Sequence, residues 1–202
     1  MSKRLRVKLK VTKGEVFLCE GYHEEIYRFF MKYFENLHFS ATSFLAKKKI
    51  ETNEGIWLIN KVDLIICSPY IEKLVKLAMN LPKDNMIIQN NVFEVQKVVF
   101  ISQEILFEGR ILSGIYSHGP YGYLEYEKSP EIFSEYLRQR LIYIYKDING
   151  VEPQDKRFMI SLKKGWTKYY TLNIPMYKGI YQMFGSTELC NIFIQSFVTG
   201  RI

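Results

Sequence analysis

The side chains best suited to acid–base chemistry in this chain of 202 residues are its three histidines, His23, His38 and His118. An imidazole ionises near neutral pH, so it can accept or donate a proton during a reaction. His23 stands beside two glutamates at the start of a helical pattern, which is typical of a solvated surface histidine, and His118 lies in a turn segment. His38 follows the helical pattern directly, where it serves either as a reactive group or as a hydrogen-bonding partner of the helix C-terminus.

Metal-dependent and nucleotide-driven chemistry have no support in the sequence. The chain contains no HExxH motif, no cluster of carboxylates with histidines and no P-loop. Its cysteines, Cys19, Cys67 and Cys190, are odd in number and widely spaced, which fits small buried residues better than a disulfide framework or a zinc site. We therefore expect a protein of the reducing cytoplasm with no metal and no cofactor.

Lysine and arginine are the second group of interest, because they are concentrated in strips. The net charge is +7. Residues 1–13 and 156–187 carry basic side chains and no acid, and Lys47, Lys48 and Lys49 form a run. Segregated positive charge favours a polyanionic partner, since each neutralised phosphate releases counterions. The alternative is a solvated basic face.

The hydrophobic pattern predicts the same order of elements twice. The first pass predicts strands over residues 4–11, 39–51, 56–67 and 86–101, with helices over 20–36 and from Ser68-Pro69 onwards. The second pass predicts a strand over 111–116, a helix over 129–145, a hairpin of 157–162 with 168–174, and a helix over 186–197. The order β-α-β-β-α-β is the ferredoxin-like unit.

The predicted fold class is therefore α+β, with two tandem ferredoxin-like domains over residues 1–104 and 105–202. The last strand of the second domain is expected to be missing or degenerate. The longest uncharged stretch, residues 111–124, is too short for a membrane span. The charged N-terminus has no apolar segment of the signal-peptide type, so no membrane association is expected.

Several segments carry a resemblance to a known family. They are the basic opening strand 4–10, the first helix with Glu25-Ile26-Tyr27, and the segments 39–49, 65–69, 111–115 and 133–145. In order and spacing they resemble the CRISPR-associated endoribonucleases that cut the repeat RNA transcript, which belong to the repeat-associated RNA-binding (RAMP) superfamily. The glycine-rich C-terminal loop of that family is reduced here to residues 196–202, with one glycine.

The resemblance implies an enzyme of antiviral defence that binds CRISPR repeat RNA. It would cleave the precursor transcript by metal-independent transesterification to give guide RNAs with 2′,3′-cyclic phosphate ends. The implied roles are His38 as general acid or base, Tyr27 as the group that orients the 2′-hydroxyl or phosphate, and Lys47 as phosphate stabiliser. From the residues alone, Tyr27 is equally well explained as a core aromatic.

RNA contacts are expected from two further groups of residues. Lys163, Lys164, Trp166 and Lys168 are predicted at a hairpin tip, where cations meet phosphates and aromatic rings stack on bases; the alternative is a basic hairpin with Trp166 packed inward. Lys48, Lys49 and Arg201 complete the predicted RNA-binding set. On a strand, Lys47 and Lys49 would share one side, and the competing explanation is a solvated edge-strand run.

Two other functions are compatible with the same features. The first is a non-catalytic RNA-binding subunit of the same superfamily that holds guide RNA in a CRISPR effector complex. The second is a ferredoxin-like RNA-binding protein unrelated to CRISPR. The expected partners are repeat RNA, subunits of an effector complex and a second copy of this chain.

Overall fold

A computed structural model describes residues 2–35, 37–81 and 85–201. The chain divides into two compact units, of which the first is Lys3–Ser102 and the second consists mainly of Gln103–Ile202. No helix among the described residues is both long and apolar enough to cross a bilayer. Each unit has its own hydrophobic core, made by one face of its sheet and two helices.

The first unit is built on an antiparallel sheet with the strand order β2-β5-β1-β7-β6. Its elements are β1 (Ser2–Cys19), α1 (Tyr22–Phe34), β2 (Ser40–Ala41), β3 (Leu45–Ala46), β4 (Lys49–Glu51), β5 (Gly55–Cys67), α2 (Ile71–Asn80), β6 (Met86–Ile88) and β7 (Asn91–Gln103). The helix α1 forms because Ile26, Phe30 and Phe34 recur at intervals of four residues and are all buried. Acidic residues in its first turn stabilise the helix by interacting with the positive end of its dipole.

The second unit repeats the arrangement with the order β11-β13-β8-β14. Its elements are β8 (Glu108–Ile115), β9 (His118–Gly119), β10 (Gly122–Tyr123), α3 (Pro130–Asn149), β11 (Phe158–Leu162), β12 (Thr167–Thr171), β13 (Ile174–Gly185), α4 (Thr187–Ser196) and β14 (Thr199–Gly200). Ser129 precedes a proline in the first turn of α3, and the side chain of Ser186 caps α4 by accepting a hydrogen bond from the Leu189 amide. The tandem ferredoxin-like fold predicted from the sequence is confirmed.

The last strand of the second unit, which was expected to be missing or degenerate, is present in a degenerate form. It is β14, which has two residues and pairs with β8, so that Thr199 lies opposite Ile111 and Gly200 opposite Arg110. The sequence gives little sign of it because two residues are too few to show an alternating pattern.

Two predictions about the edge strands are wrong. Residues 39–51 do not form one strand: β2, β3 and β4 are separate pieces that pair in turn with β5, and Lys47 and Lys48 lie in a bend between β3 and β4. In the second unit β11 and β12 do not pair with each other as a hairpin; both pair with β13. Lys163 and Lys164 therefore lie in a break between two collinear edge strands, and the true hairpin turn is Leu172-Asn173.

Candidate active site

His38 lies at the junction between α1 and β2, where the chain is held from two sides. The helix ends with the Glu35 amide bonded to the Met31 carbonyl at 2.9 Å. The carbonyl of His38 then accepts a hydrogen bond from the Ser68 hydroxyl at 2.7 Å, and the same hydroxyl accepts one from the Tyr70 amide at 3.2 Å. Tyr70 is the N-cap residue of α2. The two hydrogen bonds therefore tie the His38 backbone to the start of α2. His38 as a residue is partly exposed.

The Tyr27 ring packs into the core of the first unit. The ring centroids of Tyr27 and Phe39 are 5.2 Å apart, and Phe39 is the next residue after His38. The hydroxyl oxygen of Tyr27, however, is buried from solvent. In this conformation the hydroxyl cannot touch an RNA at the surface, and the ring serves as part of the core.

Lys47 is not next to His38. Ser40 of β2 pairs with Cys67, whereas Ala46 of β3 pairs with Val62. These two positions are five residues apart on β5, or about 16 Å at the rise of a strand. The bend that carries Lys47 therefore lies well along the sheet from the segment that carries His38.

Arg4 of the basic opening strand is a cation near the His38 segment. It is only 2% exposed. Burial raises the pKa of the Cys67 thiol, and the positive charge of Arg4 beside it acts in the opposite direction. Cys67 in turn contacts Ser40, with 3.1 Å between sulfur and oxygen, two residues after His38. A buried arginine in an alternating basic strand has no distinguishing sequence signal, which explains why it was missed.

The lysine run of the first unit is exposed. Lys49 forms an ion pair with Glu51 at 2.5 Å, and that hydrogen bond lowers the pKa of the glutamate. Among residues 2–35, 37–81 and 85–201, Lys47 and Lys48 form no ion pair with a carboxylate. These two ammonium groups are therefore available to a phosphate.

In the second unit the predicted RNA-binding segment is tied into the protein. Lys163 forms an ion pair with Glu108, and Lys168 bridges Glu127 at 2.6 Å and Glu125 at 3.3 Å. The hydrogen bond with Glu127 raises the pKa of Lys168. Burial would raise the pKa of Glu127, but its hydrogen bonds with Lys168 and Tyr177 lower it overall. These lysines would have to leave their carboxylates in order to bind phosphates.

Trp166 packs inward, as the alternative interpretation of this segment held. Its ring centroid lies 5.4 Å from that of Tyr177 and 5.9 Å from that of Tyr126. Tyr177 is itself fixed, because its hydroxyl donates to Glu127 at 2.6 Å and accepts from the Tyr126 amide at 3.0 Å. Of the predicted group, Lys164 is exposed and forms no ion pair in the described part of the chain.

The other candidate residues lie in separate places. Arg201 is exposed and forms an ion pair with Glu104 at 3.3 Å. The His23 ring packs 4.0 Å from that of Tyr22 on α1, and the exposed ring of His118 meets Tyr123 edge-on at 5.0 Å in the small hairpin of β9 and β10. Within the described residues, no group of three His, Cys, Asp or Glu side chains is placed to hold a metal ion.

No protein-family model and no curated protein matches the chain. Solved structures do match it. A protein described as CRISPR associated protein Cas6 has a TM-score of 0.78 at 16% sequence identity, over 98% of this chain and 94% of its own. An RAMP protein described as binding different RNA substrates has a TM-score of 0.79 at 20% identity, and the product of a Cas6-related gene from Pyrococcus furiosus has 0.73 at 18%, with the same shares covered. The chain has the fold of the RAMP proteins.

In this RAMP fold the predicted site residues lie in three separate places. His38 follows α1, and the Tyr27 ring packs against its chain neighbour Phe39. Lys47 and its neighbours lie further along β5, in an exposed bend. Lys163 and Lys168 of the second unit are held by carboxylates of that unit, whereas Lys164 is exposed. The fold thus provides one partly exposed histidine and one exposed lysine pair in the first unit.

Proposed function

We propose that this protein binds CRISPR repeat RNA and cleaves the precursor transcript by transesterification without a metal. The observation that carries the proposal is the position of His38 in a RAMP fold, between α1 and β2, where Ser68 hydrogen-bonds its carbonyl and the residue is partly exposed. The net charge of +7 supports a polyanionic partner.

The chemistry assigned to His38 is proton transfer. In this reaction a base removes the proton of a ribose 2′-hydroxyl, the resulting oxygen attacks the adjacent phosphorus, and the 5′-oxygen leaves after taking up a proton. The products are a 2′,3′-cyclic phosphate and a 5′-hydroxyl. His38 acts at one of the two proton transfers, and water completes the other.

Lys47 has a different role in this proposal from the one implied by the family resemblance. We assign it to a phosphate that flanks the scissile bond, because it lies far along β5 from the His38 segment. There it contributes to affinity together with Lys48 and Lys49. Arg4 supplies positive potential at the His38 end of the sheet, through its position beside Cys67.

A second candidate function is favoured by the Tyr27 hydroxyl. Because this oxygen is buried and Lys47 is remote from His38, two of the three groups implied for catalysis are not assembled. A RAMP protein that binds guide RNA without cutting it needs only the cationic surface. The two candidates differ in whether the bound RNA is cleaved.

Replacement of His38 tests the proposed chemistry. His38→Ala should lower the single-turnover cleavage rate at saturating protein by at least about 100-fold, the lower end of what a general acid or base contributes. RNA affinity should stay nearly unchanged. The matched controls are His23→Ala and His118→Ala, which should each leave the rate within a few-fold of the parent.

Two results would contradict this assignment. Normal cleavage by all three histidine variants would exclude histidine catalysis. Tight binding by the parent protein with no cleavage would establish the second candidate, a non-catalytic RNA-binding subunit.

A further inference from the structure

The outer face of the first sheet carries an exposed aromatic pair. Phe17 of β1 and Trp57 of β5 are register partners, and their ring centroids lie 5.1 Å apart at an interplanar angle of 46°. The residues on either side of Trp57, Ile56 and Leu58, are buried in the core, so Trp57 points away from the helices. Trp57 is nevertheless 40% exposed, and its partner on β4, Ile50, is exposed as well.

A row of cations lies on the same face of the same two strands. Arg6, Lys8 and Lys10 alternate with buried residues of β1, and Lys61 of β5 pairs with Lys10. Arg6 forms an ion pair with Asp63. In the described part of the chain, Lys8, Lys10 and Lys61 form no ion pair. Asp63 lies opposite Lys8, and Glu15 lies on the same face between Lys10 and Phe17, so the uncompensated positive charge of the row is centred on the facing pair Lys10 and Lys61.

We propose that Trp57, supported by Phe17, stacks an unpaired base of the bound RNA whose phosphates run along Lys61, Lys10 and Lys8. This inference rests on the proposed RNA binding and assigns it a face and a single-stranded segment. Aromatic rings on an open sheet bind single-stranded bases because every base offers a π-face, while nearby cations follow the backbone. Lys61 and Trp57 are four residues apart on β5, about 13 Å, which consecutive nucleotides can span.

The turn beside the aromatic pair fixes how the RNA is oriented. Phe17, Trp57 and the turn residues Thr52, Asn53 and Glu54 line a shallow groove of about 460 Å³. The Asn53 amide and the Glu54 carboxylate offer hydrogen-bonding groups to the edge of a base. The negative charge of Glu54 repels phosphates, so the backbone of the RNA lies on the lysine side and the base on the turn side.

The chain offers a direct optical test, because it has two tryptophans. In the full-length Trp166→Phe variant, Trp57 is the sole tryptophan and reports on its own surroundings. Titration with a single-stranded RNA of repeat sequence should quench its fluorescence with the same midpoint as binding measured by filter retention. A fully base-paired RNA of the same length should quench it far less.

The affinity of substituted proteins provides the second measurement. Trp57→Ala should weaken binding of the single-stranded RNA by about 10-fold or more, whereas Trp57→Phe, which keeps a ring, should retain most of the affinity. The control is Phe184→Ala, because Phe184 is a similarly exposed aromatic residue (54%) in the second unit. Its affinity should equal that of the parent.

The outcomes separate this inference from the proposed function. If the parent binds repeat RNA but Trp57 is not quenched and Trp57→Ala binds normally, the stacking site is wrong and RNA binding stands. If the parent binds no RNA, both are wrong, and the face would have to serve a protein partner. Equal quenching by paired and unpaired RNA would overturn the single-stranded assignment. The fluorescence result decides the question even if Trp57→Ala fails to fold.

Discussion

The two units of this protein use the same architecture at their sheet edges for different purposes. In each, one long strand is paired along its edge by shorter collinear pieces: β5 by β2, β3 and β4, and β13 by β11 and β12. A pair of lysines lies in the break, Lys47-Lys48 in the first unit and Lys163-Lys164 in the second. The long strand is also distorted five residues after its start in both units, with positive φ at Asn60 (63°) and Gly179 (154°).

The difference lies in what fills each break. In the second unit Trp166 crosses over Gly179 and packs against Tyr177, and Glu108 pairs with Lys163. In the first unit the break is exposed, and Lys47 and Lys48 lack carboxylate partners among the described residues. The same break in the edge strand is therefore filled by packed side chains in the second unit, whereas in the first unit it exposes two lysine side chains. A lysine run does not by itself identify a binding surface, because neighbouring carboxylates can neutralise its charge.

The largest effect that separates the two breaks is expected at the distorted position. A Cβ at residue 179 would lie 2.8 Å from the Trp166 Cβ and 2.9 Å from its Cα, and this backbone cannot move without disturbing the aromatic cluster. Gly179→Ala should lower the free energy of unfolding by about 1–3 kcal/mol. Asn60→Gly, at the equivalent position of the first unit, should change it by less than about 1 kcal/mol, since glycine accepts a positive φ. Urea denaturation measures both.

Equal destabilisation by these two variants would contradict the difference in packing between the two breaks. It would mean that the break in the first unit is packed as tightly as that in the second. A stable Gly179→Ala protein would mean that Trp166 is free to leave its place, and stacking of Trp166 on RNA would then regain support.

A smaller effect should distinguish the lysine pairs. For a single-stranded segment, log K falls against log salt by about 0.7 for each phosphate contact. Lys47→Ala with Lys48→Ala should reduce that slope by about 1.4. Lys163→Ala with Lys164→Ala should reduce it by about 0.7 or less, because Lys163 is engaged by Glu108. Binding isotherms at four salt concentrations measure the slopes, and the reverse order would place the RNA on the second unit's break.

The four helices and the central strand β5 could be predicted from the sequence because their signals are local, whereas the long strand β13 of the second unit was not predicted. The apolar periodicity of α1 and the alternation of β5 lie within single segments, and each appears within about two residues of its predicted bounds. The edge strands were mispredicted for the opposite reason. Where β2, β3 and β4 begin and end is set by pairing with β5, which no local pattern records.

The candidate site was harder to predict than the fold. The place of His38 in the chain follows from the end of a helical pattern, and its catalytic role stays a prediction. The remoteness of Lys47 and the burial of the Tyr27 hydroxyl depend on register and packing. The ion pair between Lys168 and Glu127 joins residues 41 positions apart in the sequence, so no local pattern predicts it. Trp57 was overlooked because a tryptophan in an alternating strand shows no preference for the core or the surface.

Incubation of the protein with a matched repeat RNA in EDTA is the most direct test of the proposed function. Products are resolved on a sequencing gel and their ends identified by phosphatase treatment. The expected result is cleavage at one phosphodiester, with a 2′,3′-cyclic phosphate on one product and a 5′-hydroxyl on the other. Cleavage that requires added magnesium or manganese would contradict the mechanism, and intact RNA in a tight complex would contradict the enzymatic function.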